Sequence, residues 1–221
     1  DIGNYERFLG QDIHYANYMT TGRVYKTVIE RERNLEYGGK CVEVVPHIPE
    51  EVVHRIRQAG KLAKADIVIV EIGGTVGEYQ NILFLEAARM MQVPNPGDAA
   101  FMLVSYLPIP GNLGEMKTKP TQYAIRTMNA SGINPDFILC RSVQPLDGPR
   151  KAKLAAVASI PPGRVVSAPD VQSIYDIPLN FHKEGLDSEI LRRFGLSNKK
   201  AKLDDLRELV KRVHNGKKTV K

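Results

Sequence analysis

The chain has 221 residues, 43% of them hydrophobic, which suits one large folded domain and excludes a disordered or fibrous polymer. Its formal charge of +6 sits in the tail, where residues 199–221 hold nine Lys/Arg against three Asp/Glu. The rest of the chain is neutral and shows no basic stripe with aromatics, so nucleic-acid binding is not expected. With no apolar leader and no run of 18 apolar residues, the sequence predicts a soluble, cytoplasmic protein without a membrane span. Cys41 and Cys140 border apolar runs and are expected as buried, reduced thiols that frame no metal.

In chain order, Val24, Val28 and Glu32 recur at helical spacing within residues 21–33. Val42 to Val45 reads as a first strand. Pro49-Glu50-Glu51 then opens a helix, with proline early, acids in the first turn, and Val52, Val53, Ile56 and Ala59 along one face. Ile67 to Val70 is a run of four aliphatic residues, the pattern of a strand buried on both faces. Residues 82–91 repeat Leu83, Ala87 and Met90 at helical spacing. Further strands are expected at Ala100 to Leu107, Phe137 to Cys140 and Val165 to Ala168, with helices at Pro120 to Met128 and Arg150 to Ala158. Strands alternating with helices predict an α/β fold, a doubly wound, mostly parallel sheet with flanking helices. Leu203, Leu206, Val210 and Val213 give the basic tail one apolar stripe and the pattern of a short docked helix.

Two segments carry candidate chemistry. Glu71 ends the aliphatic run, and three glycines, Gly73, Gly74 and Gly77, follow it. In open α/β sheets ligands bind beyond the carboxyl ends of the strands, where an acid can hold Mg²⁺ and glycine admits phosphate. The plain alternative is a core strand with a polar end. The second segment is Lys117-Thr-Lys-Pro-Thr-Gln122, which leads from a strand into a helix. A helix N-terminus with two lysines and two threonines suits a triphosphate, and the plain alternative is a solvated basic loop. The two segments are expected on the same sheet edge.

These segments, with Asn4-Tyr-Glu-Arg-Phe8, Thr20-Thr-Gly22, Val45-Pro-His-Ile48, Cys140-Arg-Ser142 and the run from Ser167 to Tyr175, resemble the synthetase (amidoligase) domain of CTP synthase over residues 1–196. The resemblance implies a P-loop NTPase-like amidoligase domain with its first strand and loop missing, followed at 197–221 by a basic linker toward an absent glutaminase domain. It implies ATP-dependent conversion of UTP to CTP through 4-phosphorylated UTP, with ammonia from glutamine and CTP as feedback inhibitor of a homotetramer. Residue by residue, Asp1 and Glu71 match the Mg²⁺ ligands, with Asp1 also at the ATP site. Glu78, Tyr79 and Gln80, then Lys117, Thr118, Lys119, Pro120, Thr121 and Gln122, and finally Lys153, match the UTP/CTP contacts. His47, placed just after a strand, falls in a segment near the active site and is a candidate catalytic residue.

The chain also departs from the family. Glu78-Tyr79-Gln80 stands for a usual Asp-Ile-Glu, Tyr123 for a His, and Val157 for an aromatic that packs on the cytosine ring, so altered CTP feedback is expected. No G-x-x-x-x-G-K-[ST] loop and no Gly-x-Cys-x-Gly nucleophile turn occurs. The chain by itself is therefore expected to be inactive. A non-catalytic UTP/CTP-binding and co-assembly module, and another ATP-dependent amidoligase of the same fold, are the alternative readings.

Overall fold

The aliphatic runs in the second half of the chain pair into a three-stranded parallel sheet, order β1-β2-β3, formed by β1 (Met102–Tyr106), β2 (Phe137–Ser142) and β3 (Val165–Pro169). The register sets Leu103 beside Ile138 and Ile138 beside Val165, with Leu139 beside Val166 on the alternate side. The computed structural model describes residues 2–111, 114–197 and 201–216. It divides into two compact units, residues 1–94 and 95–221, and the division lies inside the stretch expected as one domain.

In the second unit α5 (Lys119–Ala130) and α6 (Gly148–Ala158) are the crossovers between successive strands, and they pack on β1, on β3 and on each other. Parallel neighbours require such crossovers, and their common right-handedness places both helices on one face. The other face is covered by α7 (Asp176–Lys183) and α8 (Leu186–Arg193). There Phe137, Leu139, Val166 and Leu186 cluster against Phe181 and Ile190. Ile138, Val165 and Val166 are at most 1% exposed, which is why these strands read as unbroken aliphatic runs. The α/β class with a parallel, doubly covered sheet is thus what the residues form. Helix α9 (Asp204–Asn215) realises the apolar stripe of the tail and docks on α7, where His214 Nε2 meets Asp176 Oδ1 at 2.9 Å.

The first unit is helical: α1 (Ile2–Leu9), α2 (Thr21–Arg33), α3 (Val44–Ala63) and α4 (Ile82–Gln92). Thr20 caps α2 by accepting from the Arg23 N–H. Val24 and Val28 of α2, Ile48, Val52, Val53 and Ile56 of α3, and Ala87 of α4 form its core, the faces that the periodicity marks. Beneath them Glu51, 3% exposed, is held by Arg31 Nη1 at 2.7 Å and Arg55 Nε at 2.6 Å.

Two expected strands are absent. Val42 to Val45 leads directly into α3, and Val45 keeps extended dihedrals (φ −116°, ψ 125°) at a kink in its first turn without pairing to any strand. Pro46 and Pro49 lack the N–H that a ladder needs, while proline suits an opening helical turn. Ile67 to Val70 is irregular and open to solvent, with Ile69 91% exposed. A strand requires a neighbour to complete its hydrogen bonds, and among the described residues of the first unit no other strand exists. The run is still anchored: a Cβ on Gly60 of α3 would lie 2.7 Å from Val68 Cγ2, so glycine there admits the valine. Cys41 is exposed rather than buried, because the strand expected to enclose it does not form. Helices α1, α7 and α8 carry short apolar patterns that the periodicity did not single out. Among the described residues no helix is long and apolar enough to cross a membrane.

Candidate nucleotide site

Helix α5 begins where the chain returns from the end of β1. Leu107 N donates to Arg141 O at 2.7 Å, and Lys117 N donates to Pro108 O at 2.9 Å, closing the loop on the strand end. Ser142 Oγ donates to Leu107 O at 3.0 Å and ties the carboxyl ends of β1 and β2. The loop that opens α5 and the turn that opens α6 therefore start from neighbouring strand ends, the location favoured for ligands in open α/β sheets.

The six residues from Lys117 to Gln122 divide by role. Thr118, Thr121 and Gln122 are buried and partnered within the fold: Gln122 Nε2 donates to Thr118 Oγ1 at 2.9 Å, and Thr121 Oγ1 lies 2.8 Å from Ser105 Oγ. Lys119 and Pro120, in the first turn of α5, are exposed. Lys117 Nζ pairs with Glu115 Oε2 at 2.7 Å, and this ammonium holds the Glu115 carboxyl below its usual pKa. Lys119 and the N-terminus of α5 thus present positive potential to solvent, with Lys117 beside them under a carboxylate counter-charge. The buried threonines and glutamine give the loop its shape.

Helix α6 is capped by Asp147, whose Oδ1 accepts from Arg150 N at 2.8 Å. Lys153 follows within the first turns and is exposed, while Val157 is half-buried. From the first turn of this helix Arg150, a residue that the sequence patterns did not mark as functional, reaches the loop. Its Nε donates to Met116 O at 3.1 Å, its Nη2 lies 3.4 Å from Glu115 Oε1, and its Nη1 pairs with Asp147. Nearby, Lys151 pairs with Glu184, whose Oε2 also accepts from Ser167 N at 3.0 Å. Burial pushes the Cys140 thiol up to about 12, which makes it a core residue rather than a nucleophile.

The other sequence-derived residues lie in the first unit. Glu71 is exposed and ends no strand. No described residue holds its carboxylate, and a solvated carboxylate suits one ligand position on a hard cation. Asp1, the expected second ligand, lies outside the described residues. Among those residues no group of three or more His, Cys, Asp or Glu is arranged around a common point. The glycine segment that follows is folded into a turn, with Gly74 at φ 88° and Gly77 at φ 94°, the left-handed region. A Cβ on Gly74 would also come within 3.0 Å of Glu78 Oε2. Asn81 stitches this turn: only 3% exposed, it donates through Nδ2 to Thr75 O at 2.7 Å. Its side chain makes no capping bond to α4 and turns back to the glycine segment, so no local pattern marked it. Gln80 donates to the Glu78 carboxylate, and Tyr79 projects into solvent at 94% exposure.

His47 lies in the first turn of α3, not after a strand, and its Nδ1 accepts from Glu43 N at 3.0 Å. Its ring meets Tyr37 edge to face at a centroid distance of 5.1 Å. These contacts suit a residue that ties the entry to α3. The shallow depression bounded by Val53, His54, Arg57 and Met90 holds none of the sequence-derived site residues.

A family described as the CTP synthase N-terminus matches residues 1–196. The chain belongs to this family. Over all 221 residues it is 42% identical to a CTP synthase of Thermococcus kodakarensis, of which it covers 41%. It is 45% identical over 217 residues to a CTP synthase of Acidothermus cellulolyticus, covering 38% of that protein. A third relative, the CTP synthase of Bartonella bacilliformis, is 39% identical over 217 residues and covered to 40%. The chain thus spans about two fifths of the length of these CTP synthases. The family match takes in the glycine turn, the lysine loop and α6, and ends near the C-terminus of α8.

Proposed function

We propose that the chain supplies the pyrimidine-nucleotide site of an ATP-dependent ligase that converts UTP to CTP. In this reading the uracil 4-oxygen attacks the γ-phosphorus of ATP and ADP leaves. Ammonia then adds at C4, and inorganic phosphate departs with the C4–O bond to leave the amine. Lys117 and Lys119, with the N-terminus of α5, bind the UTP triphosphate, and Lys153 reaches it from the neighbouring helix. Thr118, Thr121 and Gln122 keep the loop in shape, and Pro120 pre-sets the first turn. Glu78, Tyr79 and Gln80 of the glycine turn are UTP/CTP contacts by their match to the family's positions, and their departure from its pattern alters CTP feedback. Glu71 and Asp1 would hold Mg²⁺, which would supply charge neutralisation at the ATP phosphates. Ammonia from a glutaminase domain, a cytoplasmic setting and assembly as a homotetramer belong to the same reading.

The observation that carries it is the placement of Lys117 and Lys119 at the start of α5, beside the strand end from which the chain leads to Lys153. Charge-assisted hydrogen bonds to phosphate contribute about 1.5–3 kcal/mol each. Calorimetric titration with UTP and Mg²⁺ should therefore show binding that the double substitution Lys117→Ala/Lys119→Ala weakens by about 100-fold or more. An unchanged dissociation constant in the double variant would remove the lysine loop from the nucleotide site.

A further inference from the structure

We infer that Arg150 is a positioning residue that locks the lysine loop to helix α6, so that Lys117 and Lys153 grip one triphosphate together. This rests on the reading of the loop as a UTP site. The guanidinium has its donors committed on separate sides: Nε to the Met116 carbonyl at 3.1 Å, Nη2 toward Glu115 Oε1 at 3.4 Å, and Nη1 to Asp147. Met116 and Glu115 belong to the loop and adjoin Lys117, whereas Asp147 is the cap of α6. One planar fork with fixed donor directions therefore joins two segments about 30 residues apart in sequence. Its side chain is 26% exposed and Met116 is 7% exposed, so this junction is partly shielded from water.

The consequence follows from helix geometry. Lys153 stands three residues after Arg150, on the adjoining part of the α6 surface. Lys117 directly follows the residue whose carbonyl Arg150 holds. Glu115 completes the arrangement, taking Lys117 Nζ on Oε2 and Arg150 on Oε1, so both cations share one carboxylate before any ligand arrives. When phosphate replaces Glu115 on Lys117, Glu115 keeps its contact with Arg150, and the loop stays registered to α6. Ordering the two lysines in advance reduces the cost of binding.

The test measures whether the two lysines remain coupled. In the 221-residue chain with Mg²⁺, Lys153→Ala should weaken UTP binding about tenfold, the loss of one charge-assisted contact. In an Arg150→Met background the same Lys153→Ala change should cost no more than about twofold, because the loop no longer holds the triphosphate within reach of α6. Arg150→Lys should behave like Arg150→Met, since an ammonium keeps the charge but not the fork. A general loss of charge or of stability leaves the Lys153 penalty at its parental value, and that result would overturn the inference while the nucleotide site stands. Amide exchange of residues 115–118 without nucleotide is the second measurement. It should rise in Arg150→Met, and unchanged exchange would also overturn the inference. Failure of the parent chain to bind UTP would instead overturn the nucleotide site, and the inference with it.

Discussion

The hydroxyl of Thr121 lies 2.8 Å from that of Ser105 and ties the first turn of α5 to β1. Thr121 is fully buried, so its hydroxyl is committed to this contact within the fold. Thr121→Val strands the Ser105 hydroxyl and should cost about 1–2 kcal/mol in denaturant unfolding. Adding Ser105→Ala should recover part of that loss, because both polar partners are then gone. Strictly additive losses would show that the two hydroxyls are not coupled.

Glu51 is a buried charge of the first unit, shared by Arg31 and Arg55. Glu51→Ala leaves two guanidinium groups without their carboxylate, and breaking such a buried pair costs about 3 kcal/mol. Arg31 is 35% exposed and recovers some hydration, which keeps the loss at the lower end of that range. Thermal unfolding should register it, and a variant as stable as the parent would show that the ion pairs contribute no net stability.

Asp147 gives the cap of α6 a pH dependence with a definite sign. The Arg150 backbone N–H, opposed by desolvation and aided by the Arg150 guanidinium, holds the carboxyl below its ordinary value of 3.8. The folded pKa is depressed, so the stabilisation is present above the unfolded value of 3.8 and is lost as pH falls through the folded pKa. Asp147→Ala should therefore lower stability by about 1 kcal/mol at pH 6. The gap between parent and variant should close as melts are repeated below pH 4, and a gap that widens in acid would contradict this sign.

The two cysteines should react differently. Cys41 is exposed, whereas Cys140 is 2% exposed with its thiol pushed up to about 12. At pH 8 a maleimide should label the native chain once, at Cys41, and label Cys140 only after denaturation. Equal labelling rates would show that β2 opens far more readily than its burial implies.

The helices were the most legible part of the fold. Val24 and Val28, the face from Val52 to Ala59, and the stripe from Leu203 to Val213 each repeat at a spacing set by one helix alone. Three of the five aliphatic runs became strands as expected, because each lies beside another: Ile138 is flanked by Leu103 and Val165. Ile67 to Val70 has the same composition without such a neighbour, and Val42 to Val45 runs into Pro46. Within the site, the lysines of residues 117–122 were readable as cations, but the burial of Thr118, Thr121 and Gln122 was not. Arg150 gave no motif at all, since its importance lies in touching Met116, Glu115 and Asp147 together.

The amino-acid sequence by itself determined the family of this protein, through the ordered motifs from the glycine turn to the lysine loop. It also determined most helices, because helical hydrogen bonds and amphipathic faces are complete within one segment. The tertiary structure decided which aliphatic runs pair, which polar side chains are consumed by the core, and which cations reach solvent. Those outcomes depend on partners distant along the chain, and no local pattern of residues specifies them.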